Sequence, residues 1–501
     1  MLAALVEESA FISELMSTTR QVQRPSRVRA LFARLKRLGP AGWPALFVSA
    51  IGLALRVEHA LTFNGPLRGA DYTRHFSGVY WMMHHWRPFY FDPEVNWSIN
   101  NYPPLWYMAG AVLYLIFHAE RAVAGIAVVG WVVRQFLLSR ILLTLLPHRR
   151  WEVLIGLTIG AFLPISVLTD GKVNPEGMHT SLFMVAVYWL WRMERQALEP
   201  AGVRLTTAAL FGVSAGLGLL TKGTSSILPI ALAILMAWQV INALRNGSAL
   251  KATWRRLVLP AVVSGIAWCS VAGWWCGPNL VKFGQPFPHP WDLHRYLLND
   301  IPQMALPVLY RRPLGWALPF YWTHYLTEPI LQSYLFPTPN LWAQFVTGTW
   351  SDIINRGFCR LQGGGVYTKY FDGWPVSGRC IQLFSWLAKI GLGISVVTVA
   401  CVLRTTSNHL RSAARKGSLA LPLVAILVVF FTSLFTLAYP VDGMVSTNPR
   451  YLLPASMPMA ACLALGLAEI ERPGLRRFLV SVVGVAVTLV ALLVIYERWG
   501  V

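Results

Sequence analysis

About twelve apolar runs, most of them near the ~20 residues that a bilayer demands, dictate what this chain can become. In lipid a backbone must satisfy its own hydrogen bonds, and a helix does so within one segment. The runs cover residues 42–63, 104–118, 122–146, 151–168, 179–191, 206–220, 224–244 and 257–276. After a long gap they resume at 381–403, 419–439, 451–467 and 478–496. Of the 501 residues 55% are hydrophobic and only 13% charged, where a soluble domain carries about 25% charged residues. The fold class is therefore an all-α polytopic integral membrane protein.

The net charge of +21 has two sources to choose between, nucleic-acid binding and membrane topology. The basic residues gather in short connections: Arg149 and Arg150, then 192–204, 245–256, 404–416 and 472–477. That is the pattern of cytoplasmic loops, so the charge speaks of orientation and no nucleic-acid partner is expected. With these connections and the basic start of the chain inside, the early runs conflict in parity. Two runs lie between residue 71, placed outside, and Arg149, placed inside, and the span is too short for three crossings. Residues 104–118, opened by Pro103 and Pro104, are accordingly expected to be a short, re-entrant or interfacial helix. About eleven crossings remain.

This topology divides the chain into a basic cytoplasmic tail (1–41), an N-terminal transmembrane module (42–276) with a first outer loop at 64–103, a large extracytoplasmic aromatic loop (277–380) and C-terminal transmembrane helices (381–501). The tail reads as uncleaved, because it is polar and basic where a signal peptide is apolar. Its segment 28–38 suits either a helix on an anionic leaflet or a solvated tail. Six cysteines are too few for a disulfide scaffold. Cys359 and Cys380 share the long loop, and whether they pair is left open. Arginine- and alanine-rich usage points to a bacterial inner membrane.

All the residues with chemistry fall on the outer side. The stretch 69–107 holds Asp71, Arg74, His75, His84, His85, Asp92 and Glu94 among many aromatics. If it starts helically, Asp71 and His75 share a face. Asp71 suits a general base on a hydroxyl, with Arg74 or His75 tuning it. Asp71 and Arg74 also suit a plain interfacial ion pair. The second outer turn, 169–180, carries Asp170, Lys172, Glu176 and His179, either as a site or as charges facing water. Lys222 ends a span and Arg450 opens one; each suits a phosphate oxygen or a topology anchor. A divalent metal on Asp71, Asp170, Glu176 and His75 is chemically reasonable, but no ligand spacing supports it, so no metal site and no cofactor are expected. Arg134 lies near the centre of an apolar run and must meet a partner or water there.

Three short stretches carry a resemblance. An acidic residue after the first span precedes an aromatic loop and then Pro103-Pro104-Leu105-Trp106-Tyr107. Residues 216–223 read GLGLLTKG, and residues 450–454 read RYLLP. In order and spacing they resemble the GT-C superfamily of membrane glycosyltransferases, in particular the protein O-mannosyltransferase and lipid A aminoarabinose transferase-like (glycosyltransferase family 39-like) members. The resemblance implies a sugar donor on polyprenyl phosphate and a glycan, lipid or protein acceptor met on the extracytoplasmic face. By position Asp71 would be the family carboxylate, Glu176 the acidic residue before a later span, and Lys222 a residue near the donor phosphate, while Arg450 and Lys172 suit that phosphate by their own chemistry. Two departures stand out. Tyr72 follows Asp71 where many relatives have a second acid, and Tyr102 replaces the lysine of the aminoarabinose enzymes.

The implied activity is transfer of a hexose or pentose from the lipid-linked donor. A transporter or flippase for a lipid-linked glycan is the competing class, and it predicts internal repeats and polar residues lining a path at midspan. A noncatalytic subunit of a membrane complex is the third.

Overall fold

The structure is a computed structural model that describes residues 42–62, 70–87, 102–249, 253–284, 286, 346, 349–350, 378–411, 419–438 and 449–499. Among these residues there are helices and turns and no strands. The helices are α1 (Gly42–Thr62), α2 (Ala70–His85), α3 (Leu105–Phe117), α4 (Glu120–Leu145), α5 (Arg150–Phe162), α6 (Pro164–Thr169), α7 (Glu176–Ala197), α8 (Leu205–Leu219), α9 (Ile227–Arg245) and α10 (Leu259–Phe283). They continue as α11 (Gly378–Arg411), α12 (Ala420–Ala438), α13 (Leu453–Ala468) and α14 (Pro473–Trp499). Seven helical stretches among the described residues are long and apolar enough to cross a membrane, which makes this an integral membrane protein.

The expected short helix is α3. Its 13 residues reach about 20 Å, less than the ~30 Å hydrocarbon core. Pro103 and Pro104 precede it, and His118 ends it in the left-handed region at φ 49°, its N–H donating to the Tyr114 carbonyl. The run 151–168 is also broken. Pro164 has no N–H to continue α5, so the chain turns at Leu163 and restarts as the six-residue α6. The expected span at 257–276 is longer than the sequence indicated, running to Phe283 after one wide turn at Trp254–Val258.

Two regions of the core position the site. The larger joins α4, α5, α7 and α8 with the C-terminal helices, and α13 packs directly on α4, α5 and α7. Small residues let α4 and α7 approach closely: a side chain at Gly177 would overlap Ala127, and one at Gly130 would overlap Ser181. The smaller region packs α2 on α3 through Val79, Met82, Trp106, Tyr107 and Ala111. The segment after α1 thus contains a docked helix, where the sequence had offered helix only as a condition. Most of the long aromatic loop, with Cys359, lies outside the described residues, as do Asp92 and Glu94 of the 64–103 loop and the basic tail.

Candidate active site

The site begins with the turn after α6. Asp170 closes that short helix, its N–H donating to the Ser166 carbonyl, and Asn174 Oδ1 accepts the Glu176 N–H at 3.0 Å to start α7. An asparagine there supplies an acceptor for one of the unpaired donors of a helix start. The turn is not solvated. Asp170 is 0% exposed, His179 1% and Glu176 8%, and of the four ionisable residues only Lys172 is half-buried. Charges facing water are therefore excluded as the reason for this composition.

Asp170 is held by two arginines from different helices. Arg56 Nε of α1 donates to Oδ2 at 2.9 Å, and Arg134 Nη2 of α4 donates to Oδ1. The Ser166 hydroxyl donates to the same carboxylate at 2.7 Å. Arg56 donates further to the carbonyls of Gly52 and Ala161 at 2.9 and 2.8 Å, and its guanidinium lies 4.2 Å from the Trp131 ring centre. Two cations on one anion leave an excess charge, and the ring face and carbonyl dipoles offset it. His59 Nε2 adds a bond to the Leu168 carbonyl at 3.0 Å. Arg134 thereby gains the partner its position required. Arg56 went unnoticed in the sequence, although an arginine inside the first apolar run was the signal that would have found it.

Glu176 has a different environment. Lys222 Nζ donates to both carboxylate oxygens at 2.5 and 2.6 Å, and about a tenth of each side chain stays accessible. Lys222 Nζ also sits 4.4 Å from the Tyr451 ring centre, and Arg450 is close enough to act electrostatically on Glu176. His179 Nε2 is within hydrogen-bond distance of Ser225 Oγ (3.0 Å) and Thr224 Oγ1 (3.1 Å). Glu176, Lys222, Arg450, Tyr451 and His179 form one group drawn from three separated stretches of sequence.

The aromatic segment before α3 joins the same place. The Leu105 N–H donates to the Leu220 carbonyl at 2.9 Å, which fastens Pro103–Tyr107 to the turn carrying Lys222. Tyr107 in turn bonds His75 Nδ1 of α2 at 2.8 Å, and His75 lies edge-on to Tyr102 and Trp106. Tyr72, also on α2, donates its hydroxyl to Glu120 at the start of α4. Asp71 and Arg74 lie on α2, on the same helix as these two anchors, and their side chains are outside the described residues.

The structure thus brings together Glu176, Lys222 and Arg450, and ties His75 to the same corner. Asp170 is drawn inward to the arginines, apart from the Glu176 group. The carboxylates of Asp170 and Glu176 are both engaged by cations, and no group of three metal-ligating side chains occurs among the described residues.

No family model and no curated protein matches the sequence. Solved structures match its fold. The oligosaccharyltransferase of Archaeoglobus fulgidus, solved in complex with Zn and sulfate, has a TM-score of 0.50 at 13% identity; the match covers 90% of this chain and 53% of that one. ArnT from Cupriavidus metallidurans, bound to undecaprenyl phosphate, has a TM-score of 0.37 at 14% identity over 90% of this chain and 78% of that one. The arabinosyltransferase EmbB of Mycobacterium smegmatis has a TM-score of 0.38 at 16% identity, covering 96% and 42%. At these identities the likeness is one of architecture. This chain shares the helical fold of the archaeal protein, and it spans about half of that protein's length.

Proposed function

We propose that this protein is a glycosyltransferase that moves a sugar from a polyprenyl-phosphate donor to a hydroxyl acceptor on the extracytoplasmic face. The observation that carries the reading is convergence. Pro103–Tyr107, the Lys222 turn and Arg450–Tyr451 were picked out separately in the sequence, and all three meet around Lys222, which pairs with Glu176, lies over the Tyr451 ring and sits two residues from the Leu220 carbonyl that holds Leu105. A shared scaffold with unrelated chemistry has no need to gather them. About eleven crossings and a cytoplasmic N-terminus are part of the same proposal, as is a bacterial inner membrane.

A lipid-phosphate donor carries its own leaving group, so the protein has three tasks: to hold the phosphate, to aim the anomeric carbon and to take the acceptor proton. Asp71 accepts the proton of the acceptor hydroxyl. The acceptor oxygen forms a bond to the anomeric carbon as the carbon–oxygen bond to phosphate breaks, with inversion, and the electron pair leaves on the polyprenyl phosphate. Arg450 offers that phosphate a two-pronged donor fork. Lys222 adds a point charge, with Glu176 as the counterion that keeps the lysine charged and in place between turnovers. Lys172, half-buried on the same turn, is the third cation within the reading. Arg74 and His75 support Asp71 on α2, and Asp170 supports the turn.

The test is transfer by the purified protein in proteoliposomes with a lipid-linked donor. Transfer by wild type, reduced on the order of a thousandfold or more in Asp71→Asn, is the expected result. Full transfer by Asp71→Asn removes the base from Asp71. Absence of transfer with any lipid-linked sugar, together with movement of the donor between leaflets, assigns the protein to the flippase class.

A further inference from the structure

The end of the molecule opposite Glu176 holds a second built feature. A groove of about 1180 Å³ runs between α5 and α14, with the first turn of α1 and the last of α4 along its side. Its mouth is basic: His148, Arg149, Arg150, Arg476 and Arg477 line it, and Glu152 is the acid among them. Glu152 is engaged only loosely by Arg476, at 4.0 Å. The mouth therefore keeps a surplus of positive charge. Two helices, α5 and α14, also begin here, and their unpaired N–H groups add to the positive potential.

Beyond the mouth the groove turns apolar. Leu154, Ile155, Val480, Val485 and Leu489 form its walls, and Gly484 forms part of the floor. A side chain built on Gly484 would meet only Ile155 Cδ1, at 4.0 Å, so the floor is open there. From Arg476 to Leu489 the helix rises about 20 Å, the length of an extended fatty-acyl chain. Trp151 stands at the mouth 57% exposed, with the Arg150 guanidinium 5.1 Å from its ring centre. An exposed tryptophan stacked with arginine is the arrangement that settles at headgroup depth. An anionic head at an arginine mouth with an acyl tail along an apolar wall satisfies each of these features, whereas a zwitterionic head leaves the surplus charge unmet.

We infer that this groove is a retained site for one anionic phospholipid, its phosphate at Arg149, Arg150 and Arg477 and one acyl chain lying past Gly484. The position matters to the fold, because the groove joins α5, which leads to Asp170, with the C-terminal helix α14. The inference is independent of the catalytic reading.

Native mass spectrometry of the full-length protein in detergent tests it, with dioleoylphosphatidylglycerol and dioleoylphosphatidylcholine as probes at equal concentration. One phosphatidylglycerol should stay bound under activation that strips phosphatidylcholine. Replacing Arg149, Arg150 and Arg477 by alanine together should weaken its retention by on the order of a hundredfold, since each surface cation contributes modestly. Gly484→Leu keeps every charge, fills the floor and should also lower retention, which preserves the test if the triple variant does not fold. Equal retention of the two lipids overturns the proposal, and so does phosphatidylglycerol binding that ignores both variants. Retention that instead falls with Arg34→Gln, Lys36→Gln and Arg37→Gln assigns the lipid to the basic tail and overturns it too.

Discussion

Asp170 and Glu176 belong to one short turn, yet they meet their cations in opposite ways. Asp170 faces two arginines with no exposure on either side; serine, backbone carbonyls and an indole face surround Arg56, while Arg134 Nε and Nη1 have no hydrogen-bond partner among the described residues. Glu176 faces one lysine at about a tenth exposure, beside Arg450 and the Tyr451 ring. The first group is closed around itself and joins α1, α4 and the α6 turn. The second is reachable and gathers the residues that suit a phosphate. The same charge pairing is sealed in one place and accessible in the other, and only the accessible one suits the binding role proposed for it.

The comparison breaks most visibly at Asp170. Asp170→Asn leaves Arg56 and Arg134 buried with their charges uncompensated, a loss of about 3–5 kcal/mol. The expected outcome is little folded protein after detergent extraction and a sharply lowered thermal midpoint; an unchanged midpoint would strip the triad of its anchoring role. Next in size is the outer pair. Glu176→Gln combined with Lys222→Gln removes both charges together, so folding should hold while lipid-linked transfer falls on the order of a hundredfold. Arg450→Gln should act chiefly on the donor, raising its KM about tenfold with the midpoint kept. Equal damage to folding from the outer double variant and from Asp170→Asn would erase the distinction. The smallest effect belongs to Ser225→Ala. It removes one of two hydroxyls at His179, worth about 1 kcal/mol, and should shift transfer by less than a few-fold.

Apolar periodicity and basic loops made the helical membrane fold legible, down to the shortness of α3, because span length and loop charge are local properties of the chain. The site was legible in part. Lys222, Arg450, Glu176 and the Pro103–Tyr107 segment each carried a local pattern, so they could be named without knowing where they meet. What brings them together is packing between distant helices, such as the Leu105–Leu220 backbone bond, and no local spacing encodes that. Asp170 shows the converse. Beside Lys172 and Glu176 it reads as one more charge on an outer turn, and only the arginines of α1 and α4 reveal that it points inward. Arg56 is the residue the apolar pattern hides, because one arginine inside a largely apolar run of 21 residues leaves the span reading intact.

The C-terminal helices also have a say in when the N-terminal half is finished. Glu194, near the far end of α7 and 4% exposed, accepts the backbone N–H groups of Leu419 and Ala420 at 2.7 and 2.9 Å. It caps α12 from 225 residues away in sequence. During synthesis α7 leaves the ribosome long before its carboxylate can find those donors. Until α12 arrives, Glu194 needs water in place of these donors, although α7 can already pack against α4 and α8. The far end of α7 is therefore finished last, when a helix made more than two hundred residues later brings the two donors its carboxylate accepts.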